Sequence, residues 1–399
     1  MARTESSLVP RGATPYTPVW LGIDVGGANC KFASHTGRVA AWPFPLWKSP
    51  QELGPRLQAE LERWESTQAE SLVGLAVTMT GELADCFWTR REGVLEIVRQ
   101  VERLSASLPV HYWGTDGRFH SGAEAAEHWL EFAASNWHAS STWVAQGELP
   151  DSIQSGWALM LDVGSTTTDI IPHEPGGVVS NGRTDSARLS SGELVYTGLQ
   201  RSTIASILRS VVVDGRRYRV ASETFATAED AHLVLGHLAE APERTDTADG
   251  RPATVVHAHG RLARMIGEDA ETLRGEQTRQ IAEQVLARQI NLIRRGIDQV
   301  CASRPEAPTK VFVTGHGGVL AREALRRSRA AACESVDLEA KLGRNIARAF
   351  PAFALARMAA RIWAPSPAKE LEPIHELLLE DSAHGSSDSI AFTQLRDAS

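Results

Sequence analysis

The sequence predicts an α/β fold made of two similar lobes with a cleft between them. Three observations carry this. An apolar strand, a small polar turn and a second strand run from Leu159 to Ile171, and the same layout occurs from Leu21 to Phe32. One constant offset aligns Asp24 with Asp162, Gly26 with Gly164 and Lys31 with Asp169, which marks an internal repeat. Around these modules, strand-like runs alternate with segments of helical spacing, the pattern of an α/β chain. A duplicated module followed by helices implies two lobes, and ligand sites often lie in the cleft between lobes.

The elements follow in order. Residues 1–18 read as a flexible lead, and Ser7 to Gly12 resembles a protease-cleavable linker. Residues 19–150 form the expected first lobe. Val19 to Phe44 suggests a hairpin around the first Gly turn. Gln51 to Trp64 places Leu53, Leu57, Leu61 and Trp64 on one helical face. Ser71 to Thr78 reads as a buried strand ending in a polar turn. Glu92 to Leu104 reads as a helix, Val110 to Trp113 as a short strand, and Gly122 to Asn136 as a helix.

Residues 151–364 form the expected second lobe, with a loop or insertion near 176–260. Gly176 to Ser191 is rich in turn formers and charges and is expected to be exposed. Gly198 to Arg209 reads as a helix, and Val220 to Leu238 as a helix-bearing segment. From Thr272 to Cys301, Leu286, Ile290, Ile293, Ile297 and Val300 recur every three or four residues, marking one buried helical face. Val311 to Val319 again runs from an apolar strand into a Gly-rich turn. Leu338 to Trp363 reads as one or two helices, with Pro351 as a candidate break. The Pro, Ser and acidic content of 365–399 suggests a disordered tail.

Composition narrows the function. The chain has 399 residues and a formal net charge of −8, which disfavours general affinity for nucleic acid. No apolar run is long enough to span a bilayer, and no signal-peptide layout opens the chain. The four cysteines are far apart, which fits a reducing cytoplasm better than a zinc or disulfide framework.

The turns carry the candidate chemistry. Gly164 lets the backbone approach a ligand, and the hydroxyls and amides of the Ser165–Thr168 turn can surround an anion. Asp162 and Asp169 could hold a cation that neutralises it.

Further motifs are Thr78 to Asp85, Gly192 to Gly198, Phe225 to Thr227 and Asp246 to Gly250. With the Asp24, Asp162 and Gly315 turns, they resemble one family. It belongs to the hydantoinase A/oxoprolinase branch of the superfamily that holds actin, sugar kinases and heat-shock chaperone ATPases. Within that branch the resemblance is to the tetrahydromethanopterin-linked one-carbon-pathway proteins of methylofuran biosynthesis, over about Val19 to Trp363.

The resemblance implies duplicated actin-like, ribonuclease H-like lobes. It also implies a transferase that joins (aminomethyl)furanylmethyl diphosphate to the phenol of a γ-glutamyltyramine- or tyrosine-like acceptor. The products would be an aryl ether and diphosphate. The partners are then small molecules, with the chain working alone or as a homodimer.

Such chemistry needs charge stabilisation on the diphosphate and a proton acceptor for the phenol. Lys31 is the first candidate clamp. Asp24 and Asp162 would hold Mg²⁺ through water. Asp169 could bind metal, act as base or pair with a neighbouring Arg. Gly26, Gly27, Asn29, Gly164, Ser165, Thr166 and Thr167 would surround the diphosphate, and Gly315, Gly317 and Gly318 would line the far wall. Glu82, Asp85, Arg183, Asp185 and Glu193 are the candidates for substrate binding. An ATP-dependent small-molecule kinase and an actin-like nucleotide-binding scaffold remain the rival readings.

Overall fold

The computed structural model describes residues 17–66, 70–104 and 108–363. The expected lead and tail lie outside these residues, except that 17 and 18 already belong to the first strand.

Six strands form the first sheet. They are β1 (Thr17–Val25), β2 (Asn29–Ser34), β3 (Val39–Pro43), β4 (Glu70–Met79), β5 (Val110–Trp113) and β6 (Phe119–His120), in the order β3-β2-β1-β4-β5-β6. β1 runs antiparallel to β2 and parallel to β4. The next strands are β7 (Ala158–Val163), β8 (Thr168–Glu174), β9 (Gly177–Val178) and β10 (Leu194–Val195). β11 (Ser210–Val213) and β12 (Arg216–Arg219) form a separate hairpin, and β13 (Lys310–Thr314) and β14 (Glu334–Asp337) follow. The second sheet has the order β10-β8-β7-β13-β14, with β9 on β8. β7 is antiparallel to β8 and parallel to β13. The same order and the same strand directions occur twice. The fold is therefore a duplicated actin-like one.

The repeat extends to single residues. Asp24 faces Lys31 across β1 and β2, and Asp162 faces Asp169 across β7 and β8. The Gly26 amide donates to the Asn29 carbonyl at 3.0 Å, and the Gly164 amide to the Thr167 carbonyl at 2.9 Å.

The helices are α1 (Leu53–Ser66), α2 (Arg90–Leu104), α3 (Gly122–Glu127), α4 (Asn136–Ala145), α5 (Asp185–Ser191), α6 (Ile204–Ile207) and α7 (Ala228–Val234). The chain continues with α8 (Val255–Arg264), α9 (Gly275–Ala302), α10 (Gly318–Arg326), α11 (Leu338–Leu342), α12 (Arg344–Arg348) and α13 (Phe350–Trp363). Alternation along each central strand sorts side chains to opposite faces. Val19, Leu21 and Ile23 of β1 pack with α1 and α2, whereas Trp20 joins α4 and α13. Likewise Leu159 and Leu161 of β7 pack with α9 and α10, and Met160 joins α4 and α13. One apolar core, built on Trp143, Phe350 and Phe353, thus lies between the two sheets.

α13 lies against β1, β2 and β4, and α4 lies against α13, β8 and β9. The last helix therefore returns to the first sheet, while the last helix before β7 covers the second. Gly22 permits the closest approach. A Cβ there would sit 1.8 Å from the Ala352 carbonyl oxygen.

Four sequence expectations need correction. The helix expected over Gly122 to Asn136 is broken: α3 ends at Glu127 and α4 starts at Asn136, with Ala134 at a φ of 49°. Gly198 to Arg209 holds only the single turn α6, because the amides of Leu199, Gln200 and Arg201 bond to the Gly164 and Ser165 carbonyls. The stretch 176–191, expected as an exposed loop, carries α5 with a buried Arg188. Leu338 to Trp363 holds three helices, not one or two, and Pro351 breaks none of them. It sits in the first turn of α13, where its missing N–H costs nothing.

Gly22→Ala is expected to push α13 off the first sheet and lower stability by roughly 2–3 kcal/mol, within the range of overpacked cores. Urea unfolding measures this; an unchanged midpoint would contradict the close approach.

Candidate functional site

The two hairpin turns and the third Gly turn converge on Asp162. Burial first, then the charge of Asp169, raises the Asp162 carboxyl to about 7; Lys31 acts in the lowering direction and Asp24 in the raising one. The charges of the first hairpin are therefore close enough to act on the second. The Lys31 ammonium lies 3.3 Å from Asp24 Oδ2, while Asp24 Oδ1 is buried without a partner. Gly315 closes the third side. A Cβ there would sit 2.3 Å from Asp162 Oδ1, and its φ of +88° also favours glycine.

Each turn is tied back from behind. Carbonyls of Gly164 and Ser165 accept from Leu199, Gln200 and Arg201, and those of Gly27 and Ala28 accept from Leu46 and Phe44. Holding the carbonyls on one side leaves the remaining turn amides available on the other, the arrangement that binds anions. Ser165, Thr166 and Thr167 are half-buried at this turn, as are Gly26 and Gly27, and Asn29 is exposed. At the mouth, the Arg201 guanidinium lies 5.4 Å from the Trp47 ring centre, so the two lobes meet there too.

Asp169 is paired rather than free. The buried Arg188 guanidinium bonds to its carboxylate, lies 3.5 Å from Asp185 and stacks 4.0 Å over Trp137. Arg188 thus offsets two carboxylates at once, and Asp169 is positioned as its partner rather than as a proton acceptor.

Glu82 stands at the end of β4, buried, with Oε2 unpartnered. Burial raises its carboxyl to about 7. Its own amide and that of Ala134 act the other way, and Asp185 adds to the rise. Asp185 is raised in turn, chiefly by burial, with Arg188 acting in the lowering direction. The charge of Asp185 thus reaches Glu82 from the other lobe, and Arg90 acts on both in the lowering direction.

Not every expected residue joins this cluster. Glu193 is fully buried, and its carboxylate accepts from the Ser180 hydroxyl and the Asn181 amide. It fixes a turn and is not a substrate contact. Asp85 is exposed, and its charge acts on Cys86. Arg183 is exposed and acts on the buried His138. Gly317 packs on Val163, and Gly318 lies beside Arg322.

Sequence reasoning passed over His316, which stands inside the third turn. His316 is exposed to solvent, yet the protein crowded around its ring, and then the Lys31 charge, hold its imidazole below the usual range, so it is neutral near pH 7. Its only signal was its place between Gly315 and Gly317.

Among the described residues, no set of three or more His, Cys, Asp or Glu side chains is arranged to hold a metal ion. Two carboxylates, Asp24 with its buried unpartnered Oδ1 and Asp162, are what the cleft offers to a cation.

Comparisons with known proteins show the family. Residues 74–362 match the family model described as hydantoinase/oxoprolinase. A Methanocaldococcus jannaschii protein is 31% identical over 85% of this chain and 96% of its own length. It is named as the synthase of a furan-2-yl methanamine bearing a 4-(2-(gamma-L-glutamylamino)ethyl)phenoxymethyl group. A Methanococcus vannielii protein of the same name is 28% identical over 49% of this chain and 88% of its own length. Among solved structures, an Arthrobacter polyphosphate/ATP-glucomannokinase overlaps with a TM-score of 0.42 at 14% identity, covering 87% of this chain and all of that one. The archaeal actin homolog Ta0583 also scores 0.42 at 14% identity, covering 86% of this chain and all of its own. The duplicated strand order, not these overlaps, establishes the fold.

The raised carboxyl of Asp162 sets a pH dependence. A folded value near 7 against an ordinary one near 4 means the folded state holds the extra proton between those limits. This contribution is fully present below pH 4 and lost as pH rises through 7. Asp162→Asn should therefore raise the melting temperature at pH 8 and change it little near pH 4. Equal shifts at both values would contradict the assignment.

Proposed function

The chain belongs to the hydantoinase/oxoprolinase family, and from that premise we propose that it is an ether-forming synthase of methylofuran-type cofactor biosynthesis. In this reading it condenses (aminomethyl)furanylmethyl diphosphate with the phenol of a γ-glutamyltyramine-like acceptor. The observation that carries it is the convergence of Lys31, Asp24 and two tied-back turns on Asp162, in a chain of which the archaeal synthase matches 85%.

The diphosphate lies on the cleft floor between the two turns. Lys31 and the turn amides, from Gly26 to Asn29 and from Gly164 to Thr167, face its oxygens. Asp24 and Asp162 would hold Mg²⁺, which when bound supplies positive charge to the leaving group. Glu82 and Asp185 form an acidic wall suited to the ammonium of the furan substrate.

The reaction balances simply. The bond from the furan methylene to the diphosphate oxygen breaks, and the methylene–phenol oxygen bond forms. The ring shares positive charge as the leaving group departs. The phenol proton goes to the neutral His316 imidazole and then to solvent. An ordinary phenol has a pKa near 10, so a proton acceptor beside the Lys31 charge makes the nucleophile accessible near neutrality. Such a reaction on small soluble substrates fits the cytoplasm. No described helix is long and apolar enough to cross a membrane.

The test is direct. With Mg²⁺, the furan diphosphate and γ-glutamyltyramine, mass spectrometry should find the ether and an equal amount of diphosphate. ATP hydrolysis with no ether would favour a kinase instead. Lys31→Ala should lower kcat at least 100-fold, the scale seen when one charge-stabilising donor is lost, with the fold kept by circular dichroism although the unpaired Asp24 carboxylate lowers the melting temperature. Activity near the parent level would remove Lys31 from the mechanism.

A further inference from the structure

A second cavity of about 520 Å³ opens beside the third Gly turn, between the C-terminal ends of β13 and β14, α10 and α11. Its lining has a distinct charge pattern. Arg322 lies 3.6 Å from Asp337 Oδ2, and Arg344 lies 3.1 Å from Glu339. Two guanidinium groups and two carboxylates thus share one pocket with no net charge. Asp337 keeps its Oδ1 for the amides of Glu339 and Ala340, so its position is fixed by the start of α11. Val313, Val319 and Ala340 supply an apolar wall.

A second feature points to a ligand. Thr314 lines the pocket, is almost fully buried, and its hydroxyl oxygen has no partner. A buried hydroxyl left unpaired is costly unless something completes it. Thr314 also stands beside Asp162 across β13 and β7, so the pocket reaches the catalytic floor. His316 forms the boundary between them.

We propose that this pocket binds an α-amino-acid terminus, the end of the acceptor remote from its phenol. The identification of that end as the acceptor's rests on the synthase reading above. Arg322 and Arg344 would take the α-carboxylate, a pairing that guanidinium geometry favours. Asp337 and Glu339 would take the α-ammonium, and Thr314 a polar atom of the linking amide. A zwitterion matches paired charges of both signs, whereas a phosphate-bearing ligand would leave two carboxylates facing an anion. The furan ammonium then lies against one wall of the cleft, the amino-acid end against the other, and the reacting atoms meet above the diphosphate.

The probe is γ-L-glutamylethylamide, which has the amino-acid end and the amide but no phenol. Calorimetric titration of the full chain should show saturable one-to-one binding. Arg322→Ala and Arg344→Ala should each weaken it at least ten-fold. Both residues are largely exposed, so folding is not at stake. Arg326→Ala, on α10 but paired with Glu323 outside the pocket, should leave it unchanged. No saturable binding, or binding indifferent to both arginine substitutions, overturns the proposal. So does displacement of the probe by an adenine nucleotide whose own binding depends on the same arginines. The titration needs no ether formation. Probe binding without ether product would sink the synthase reading and keep the pocket. Ether formation with equal KM for tyramine and γ-glutamyltyramine would keep the synthase and sink the pocket.

Discussion

Everything in the cleft depends on Asp162 and Asp169 standing opposite each other on adjacent antiparallel strands. Like charges directly opposite are unfavourable in a sheet. The equivalent pair in the first lobe, Asp24 and Lys31, is neutral. The second lobe keeps both carboxylates and offsets only one of them, through the buried Arg188. Asp162 has no such partner, and burial, then the charge of Asp169, raises its carboxyl to about 7. In the proposed reading, a cation entering the cleft would offset that imbalance. Duplication made the scaffold symmetric, and the Lys31/Asp169 difference makes the site directional.

The surroundings are arranged to keep that imbalance in place. Gly315 brings the third turn against Asp162, and Leu199 to Arg201 hold the second turn from behind. Arg188 is held by Trp137 of α4, which is part of the core between the sheets. The packing that joins the lobes and the electrostatics of the site therefore share a residue. A cleft that must present oriented charge benefits from such rigid support, because nothing then has to reorganise during the reaction.

The repeated hairpins were legible because strand periodicity and Asp-Gly turns are local signals. They survive as the same register in both sheets. What was missed has two different causes. The β11–β12 hairpin carries only a short local sign, Asp214-Gly215 between two four-residue strands. Arg188 and Glu193 could not be read locally. A charged stretch looks like surface until its partners, Asp169 and the turn at Ser180 and Asn181, are brought to it by the sheet. His316 was visible but had no weight without Lys31 beside it. The pocket around Arg322 and Arg344 needs α10, α11 and β14 in place, and no spacing in the sequence encodes that.

The central claim is that the two hairpins together bind a magnesium-bound diphosphate. The most direct measurement is the titration of the Asp162 side-chain carboxyl by ¹³C NMR, assigned by comparison with Asp162→Asn. Without ligand, it should titrate near pH 7. With Mg²⁺ and diphosphate present, the midpoint should fall by at least two pH units. A midpoint near 4 in the free protein, or one unmoved by Mg²⁺ and diphosphate, would contradict the account.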